Sequence, residues 1–260
     1  MIRVGTSGWQ YRDWRGLLYP DNMPVRRWLE HYAESFATVE SNNAFYRLPS
    51  RDTFGAWRTR TPKDFLVSVK ASRYLTHIKR LRDPAEPVRR LLDRAEGLGG
   101  KLGPILLQLP PTLRADAPLL DDCLSCFPRS VRVAVEPRHE SWWTDDVRTV
   151  LESHGAALAW ADRDSHPVTP RWRTTDWAYL RLHAGRAYPP PHYGRQALDS
   201  WVHRLLDSWP ADADLHVYFN NDPGGAAVGD AITFARLADR AGAPVTRVPE
   251  PATATAGRSR

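Results

Sequence analysis

Residues 102–111 read LGPILLQLPP and residues 131–143 read VRVAVEPRHESWW. Each opens as a short, nearly unbroken apolar run and closes on polar side chains, Gln108 in the first, Glu136 with Arg138 and His139 in the second. Unbroken apolar runs of this length are expected of parallel strands covered on both faces. Working outward, the same kind of run recurs at Ile2–Ser7, Ala37–Ser41, Phe65–Ala71, Ala157–Ala161, Trp177–His183 and Leu215–Phe219, so the chain carries eight.

Most of the runs are followed by helical periodicity. In PVRRWLEHYAESF, Val25, Trp28, Leu29, Tyr32 and Phe36 fall on one stripe, and Pro24 suits the first turn. Further helices are predicted over 84–96, 116–126, 144–154, 196–208 and 225–241, with a short one over 51–60. The stretch 163–176, RDSHPVTPRWRTTD, is broken by proline and predicted to be largely irregular. Strands alternating with helices imply βαβ units and a parallel sheet. Eight units within 260 residues favour an α/β eight-stranded parallel (β/α)8 barrel of TIM type over an open sheet. The expectation is one domain over 1–248 and a disordered tail over 249–260, which has almost no apolar content.

Hydrophobic residues make up 42% of the chain, enough for a substantial core, yet no stretch approaches the roughly 20 apolar residues of a membrane span. The start, MIRVGTSGW, enters a strand directly and lacks a signal peptide's apolar middle, so a cytoplasmic location is expected, without a membrane partner. The formal charge is +6, from 36 basic and 30 acidic residues, and only Lys63, Lys70, Lys79 and Lys101 are lysines. Arginine suits phosphorylated ligands or nucleic acid, but without a dense basic run the charge fits composition bias better. Cys123 and Cys126 form a lone CxxC in a helical segment. With no second pair to complete a zinc site, they are expected to be free, buried or half-buried thiols.

In β/α barrels ligands bind at the C-terminal ends of the strands. Here those ends carry Ser7 and Trp9; Glu40, Asn42 and Asn43; Lys70; Gln108; Glu136, Arg138 and His139; Asp162; Arg181 and His183; and Asn220 with Asn221. A polar group at nearly every strand end predicts a pocket. Three chemistries stay open. Glu40, Glu136, Asp162 and His183 offer ligands for a divalent metal, although no HxH or HExxH spacing supports one. The same carboxylates offer general acid–base catalysis tuned by Lys70, Arg138 and Arg181. Lys70 offers a Schiff base or, in better accord with its neighbours, an electrostatic role. Arg186, with the Asn220-Asn-Asp-Pro-Gly-Gly225 turn leading into a helix, is expected to form an anion site or to be a plain capped turn. Trp9, Trp142 and Trp143 lie just past strand ends, where packing is favoured over stacking on a ligand.

At these ends the sequence resembles the YecE-like family, domain of unknown function 72, over about residues 2–240. The matching stretches are VGTSGWQYRDW, Tyr19-Pro20, TVESNNAFYRLPS, Thr61-Pro62, VKASRYLTH, LGPILLQLPP, AVEPRHESWW, YLRLH and VYFNNDPGGAA. The resemblance implies a TIM-barrel-like fold with no established activity. Suggested relationships to metal-dependent barrel nucleases and to sugar isomerases are analogies of fold. It adds His77 to the candidate binding residues. Three positions depart from the family pattern: Ala44 where Thr is usual, Arg181-Leu-His-Ala-Gly where Arg-x-His-Gly is usual, and Asp230 where Asn is usual. The sequence thus predicts an enzyme acting on an anionic, phosphorylated or sugar-like substrate. Alternatives are a nucleic-acid-binding protein or nuclease-like phosphodiester hydrolase, and a non-catalytic small-ligand binder. Glu40, Lys70, Glu136, Asp162 and His183 are the catalytic candidates; Ser7, Trp9, Asn42, His77, Gln108, Arg138, Arg181, Arg186, Asn220 and Asn221 are the binding candidates.

Overall fold

Each of the eight apolar runs becomes extended chain in the computed structural model, which describes residues 1–249. The strands are β1 (Ile2–Thr6), β2 (Thr38–Ser41), β3 (Leu66–Lys70), β4 (Leu102–Gln108), β5 (Val133–Glu136), β6 (Ala157–Leu158), β7 (Trp160–Arg163), β8 (His166–Pro167), β9 (Ala178–Leu182) and β10 (Leu215–Phe219). They form two five-stranded sheets, ordered β2-β3-β4-β5-β6 and β1-β10-β9-β7-β8. All pairings within them are parallel except the β7–β8 hairpin.

One expectation needs correction. Ala157–Ala161 is not one strand: β6 pairs with β5 and β7 with β9, so the run passes from one sheet to the other across Ala159. Side chains from further along the chain take over its backbone, the Thr174 hydroxyl accepting from Leu158 N–H (2.9 Å) and the Thr169 hydroxyl from Ala161 N–H (3.0 Å). The stretch 163–176 is largely irregular, as expected, save that β8 pairs back on β7 through a turn in which Asp164 and Ser165 both have positive φ, 56° and 59°. Left-handed values at both central residues match the twist of a two-residue hairpin.

The helices are α1 (Trp28–Ser35), α2 (Asn43–Tyr46), α3 (Arg51–Thr59), α4 (Ala85–Ala95), α5 (Ala117–Ser125), α6 (Asp145–His154), α7 (Arg195–Ser208) and α8 (Ala226–Arg240). α3, α5 and α6 start where a side chain can satisfy a free amide: Ser50, Asp116 and Thr144 each accept from the N–H three residues on. α1 is shorter than its periodicity predicts. Val25–Arg27 forms a 3-10 turn instead, and Val25 is exposed rather than on the buried stripe. Cys123 and Cys126 are free thiols, one buried and one half-buried. No helix among the described residues is long and apolar enough to cross a membrane. The tail expected over 249–260 lies, apart from Pro249, outside the described residues.

Two apolar cores follow from strand alternation. The larger lies between strands and helices. The smaller, Leu106, Ala134, Ala157, Ala159, Trp177, Tyr179 and Tyr218, lies between the sheets. Tyr218 ties the sheets together there, its hydroxyl lying 2.7 Å from Thr38 Oγ1 and 2.7 Å from Ser68 Oγ. Tyr218→Phe strands the buried Ser68 hydroxyl and is expected to cost about 1–2 kcal/mol. Urea unfolding would show this as a lower midpoint at unchanged slope. The sheets also meet at their edges. Ser7 bridges Glu40, Gly8 N–H donates to Glu40 O (2.8 Å), and Ala159 N–H donates to Val135 O (2.8 Å).

Candidate active site at the strand ends

Above the inter-sheet core the same alternation turns polar. β2, β3, β4, β5 and β9 carry Glu40, Lys70, Gln108, Glu136 and Arg181 at or near their C-terminal ends. Register places Glu136 beside Gln108 and Glu40 beside Ser68. Arg181 is fully buried and joins the two carboxylates. Its Nε and Nη2 donate to Glu40 (3.0 and 2.8 Å), and its Nη1 donates to Glu136 Oε2 (2.5 Å). Ser7 Oγ (2.7 Å) and Tyr179 OH (2.6 Å) complete the Glu40 carboxylate. Glu136 Oε1 accepts from Gln108 Nε2 (3.0 Å), His183 Nε2 (2.9 Å) and Arg138 Nε (3.3 Å).

Burial is the largest influence on both carboxyls and pushes them up. The Arg181 charge, with the surrounding hydrogen bonds, outweighs it, leaving Glu40 below the ordinary range and Glu136 well below it. Both are therefore ionised and saturated with donors. Glu40 has its oxygens taken by Arg181, Ser7 and Tyr179, so it anchors Arg181 and offers no free oxygen in this arrangement. Arg181 likewise holds the two carboxylates together instead of facing an open substrate site. The metal reading also loses its ligand set. Arg181 fills the space between the carboxylates, Asp162 is elsewhere, and no three His, Cys, Asp or Glu side chains among the described residues converge to hold an ion.

Asp162 belongs to the opposite face of its strand. Ala161 faces the site, so Asp162 points toward α7, where Tyr193 OH (2.9 Å) and Trp201 Nε1 (2.8 Å) donate to it. Burial raises its pKa against those two bonds. It ties Tyr193 and Trp201 to the strand and does not join Glu40, Glu136 and His183.

His183 and Lys70 remain. Asn220 Nδ2 donates to His183 Nδ1 (3.1 Å), so the ring proton sits on Nε2 and is given to Glu136. Burial, helped by Arg181 and Arg138, lowers its pKa against the pull of Glu136, and the ring is neutral at pH 7. Lys70 Nζ lies 4.4 Å from the centroid of the Phe45 ring and has no hydrogen-bond acceptor among the described residues. Burial first, then the Arg181 charge, brings its pKa down to about 8, with Glu40 and Glu136 opposing. Beside His183 opens a cavity of about 260 Å³ lined by Glu136, Arg138, Arg163, His183, Pro111 and Val168.

The other candidates divide. Ser7, Gln108, Arg138 and Asn220 contact the Glu40–Arg181–Glu136–His183 network as described. Asn42 donates to Ser7 O (3.2 Å) at its margin. His77 packs edge-on against Phe45, with Nδ1 2.9 Å from the Thr76 hydroxyl. Trp9 packs at right angles on Trp57, Trp142 is buried with Nε1 donating to Leu113 O, and Trp143 packs on Trp172. All three tryptophans pack against neighbours, and Trp9 also lines a small cavity of about 80 Å³ with Gln10, Tyr11 and Asn42.

Asn221 turns to Asp230 (2.7 Å), and this Asp also accepts from Tyr193 N–H (2.8 Å). The anion site expected between Arg186 and the start of α8 is not formed. Leu17 occupies the space over Gly225, Asp222 already places a carboxylate there bonded to Trp14 Nε1 (2.7 Å), and Arg186 is exposed. Sequence reasoning missed Tyr179, Tyr193, Trp201 and Arg163. Of these, Tyr179 alone had a signal, standing in phase with Arg181 and His183 on one strand face.

The family model described as "Protein of unknown function DUF72" matches residues 3–255. UPF0759 protein YunF of Bacillus subtilis is 23% identical, over 92% of this chain and 95% of its own. A DUF72 family protein of Thermotoga maritima superposes with TM-score 0.80 at 27% identity, covering 92% of this chain and 99% of that one. A DUF72 family protein of Enterococcus faecalis gives 0.78 at 20% identity, covering 92% and 96%. A fusion protein described as xylose isomerase-like TIM barrel/4-hydroxyphenylpyruvate dioxygenase gives 0.51 at 12% identity, covering 86% of this chain and 43% of that one, a likeness of fold alone.

Proposed function

The chain belongs to the DUF72 family of proteins of unknown function, and from that membership and the geometry of the strand ends we propose that it is an enzyme acting on a small anionic, phosphorylated or sugar-phosphate-like substrate. In this reading the two sheets are halves of one closed eight-stranded barrel forming a single domain over 1–248. The edge bonds Gly8–Glu40 and Ala159–Val135 and the TIM-barrel-like neighbour support closure. A cytoplasmic location fits the two free thiols.

The observation that carries the proposal is Lys70. A half-buried amine without an acceptor among the described residues, near enough to Glu136 and Arg138 to feel their charges while those two line the neighbouring cavity with Arg163, is a cation waiting for a partner. Lys70 and Arg138 hold the substrate anion. His183 lines the cavity with Nε2 on Glu136 and Nδ1 on Asn220, and would exchange a proton with the bound molecule by giving up the Asn220 bond at Nδ1 to a substrate group. Glu40, Ser7 and Tyr179 fix Arg181, and Arg181 fixes Glu136.

Calorimetry with inorganic phosphate and a pentose phosphate tests this. Lys70→Met and Arg138→Ala are each expected to weaken binding about tenfold, equivalent to roughly 1.4 kcal/mol. Because the Lys70 amine is charged below its pKa of about 8, affinity should fall as pH rises through about 8, and this decline should vanish in Lys70→Met. Binding that ignores both substitutions, or no binding at millimolar concentration, would remove the proposal. Turnover is sought by mass spectrometry of sugar phosphates incubated with the native protein and the His183→Asn variant.

A further inference from the structure

Beyond the ends of β2 and β3 lies a second concave surface that shares no residue with the Lys70–His183 site. It is a cavity of about 460 Å³ between the segment following α2 and α4, walled by Tyr46, Arg47, Tyr74, Glu86, Arg90 and Arg94. Past Arg47 and Arg94 it runs on into a cavity of about 550 Å³ bounded by Trp57. Two aromatic rings stand open in it: Tyr46 is 82% exposed and Tyr74 48%. Both rings line the same cavity, so their faces are open to a flat ligand there.

The charge balance is one-sided. Glu86 is the single carboxylate on the wall, and the nearby acids pair elsewhere, Glu86 and Asp93 with Arg89 and Glu96 with Arg51. Arg47, Arg90 and Arg94 have no carboxylate partner among the described residues. Arg94 is held in place by donating to Leu48 O (2.7 Å), so one guanidinium is preset. The ring of Tyr46 rests edge-on against Phe45 (5.0 Å), which fixes the aromatic wall to the body of the protein. Tyr74 opens a π-helical turn, Tyr74–Ile78, after which Arg80, Leu81 and Asp83 all have positive φ. Non-glycine residues in that region carry strain, which persists where the surroundings hold it.

We propose that this groove binds single-stranded nucleic acid, with Arg47, Arg90 and Arg94 on successive phosphates and Tyr46 and Tyr74 stacking on unpaired bases. Guanidinium groups match phosphate, and open rings match base faces; a duplex hides those faces and a plain polyanion lacks them. The formal charge of +6 adds a favourable field for any nucleic acid strand.

Fluorescence anisotropy of a labelled dT15 strand with the full chain is the test. The strand should bind with a log affinity against log salt slope of about −2, as three phosphate contacts on a single strand imply. Arg47→Ala/Arg90→Ala should flatten that slope. Tyr46→Ala and Tyr74→Ala should each weaken binding about tenfold while leaving the slope unchanged. Arg12→Ala/Arg171→Ala, a pair of exposed arginines outside the groove, should change neither. Lys70→Met is also expected to leave dT15 binding intact, so the groove and the phosphate site stand or fall separately. The inference fails if dT15 does not bind. It fails equally if duplex DNA or polyphosphate competes as well as dT15, or if the control pair weakens binding as much as the groove pair.

Discussion

Arg181→Met is expected to destabilise the protein by about 3–5 kcal/mol at neutral pH, the usual cost of removing one partner from a buried ionic group. Methionine fills a comparable volume, so lost charge rather than lost packing dominates. Glu40 and Glu136 are then left buried as anions with no cation between them. The pH dependence gives a sharper signature than the magnitude. In the native protein both carboxyls lie below their unfolded value of about 4.3, so the pairing contributes stability above that pH and loses it as pH falls through the lower folded values. In the variant the largest charge opposing burial is gone, so both folded values rise toward and past the unfolded one against the weaker pull of Lys70, Arg138 and the remaining hydrogen bonds. Its stability is then lost as pH rises, and the deficit should be largest near pH 8 and shrink toward pH 5. Urea unfolding of both proteins at pH 5 and pH 8 measures this. Adding Glu40→Gln and Glu136→Gln to the variant should restore part of the loss at pH 8. A deficit equal at both pH values, and not relieved by the two amides, would show that Arg181 matters for packing and not for charge.

That arrangement was half legible in the sequence. Position at a strand end picked out Glu40, Lys70, Gln108, Glu136, Arg181 and His183, because a polar residue closing an apolar strand is held near the mouth of the fold. Position alone could not say which way each side chain turns. Asp162 shows the cost of ignoring parity: Ala157, Ala159 and Ala161 share one face, so Asp162 had to take the other. The division of roles among the six was hidden because it depends on pairings between strands more than forty residues apart, such as Arg181 with Glu136. The failed anion site has the same origin. Its Gly-rich turn reads as open in isolation, and only the fold brings Trp14 and Leu17 across it. The break at Ala159 likewise depends on the hydroxyls of Thr169 and Thr174, contributed by a stretch whose prolines signal only irregularity.

Gly5→Ala should cost about 3 kcal/mol, the upper range for forcing extra volume into a packed site. Gly5 lies where β1 meets β2, and a Cβ there would sit 2.2 Å from the Thr38 carbonyl oxygen and 2.9 Å from its carbon. Both atoms are backbone, so no side-chain rotation relieves the contact and the strands must separate. The same Thr38 oxygen accepts from Tyr32 OH (3.0 Å), which pins it from the helical side. Separation would stretch the Gly8 N–H to Glu40 O bond (2.8 Å) and the Ser7 Oγ to Glu40 bond (2.7 Å), and so loosen the anchor of Arg181. Glycine is thus required at position 5 for close approach of another strand, although its φ is not in the left-handed region. Gly100→Ala is the matched control, since a Cβ at Gly100 meets nothing within 4 Å; it should stay within about 0.5 kcal/mol of the native protein. Urea midpoints of the two variants decide the matter. If Gly5→Ala is no worse than Gly100→Ala, the two sheets are not tightly joined at this edge, and closure of the barrel there loses its strongest physical support.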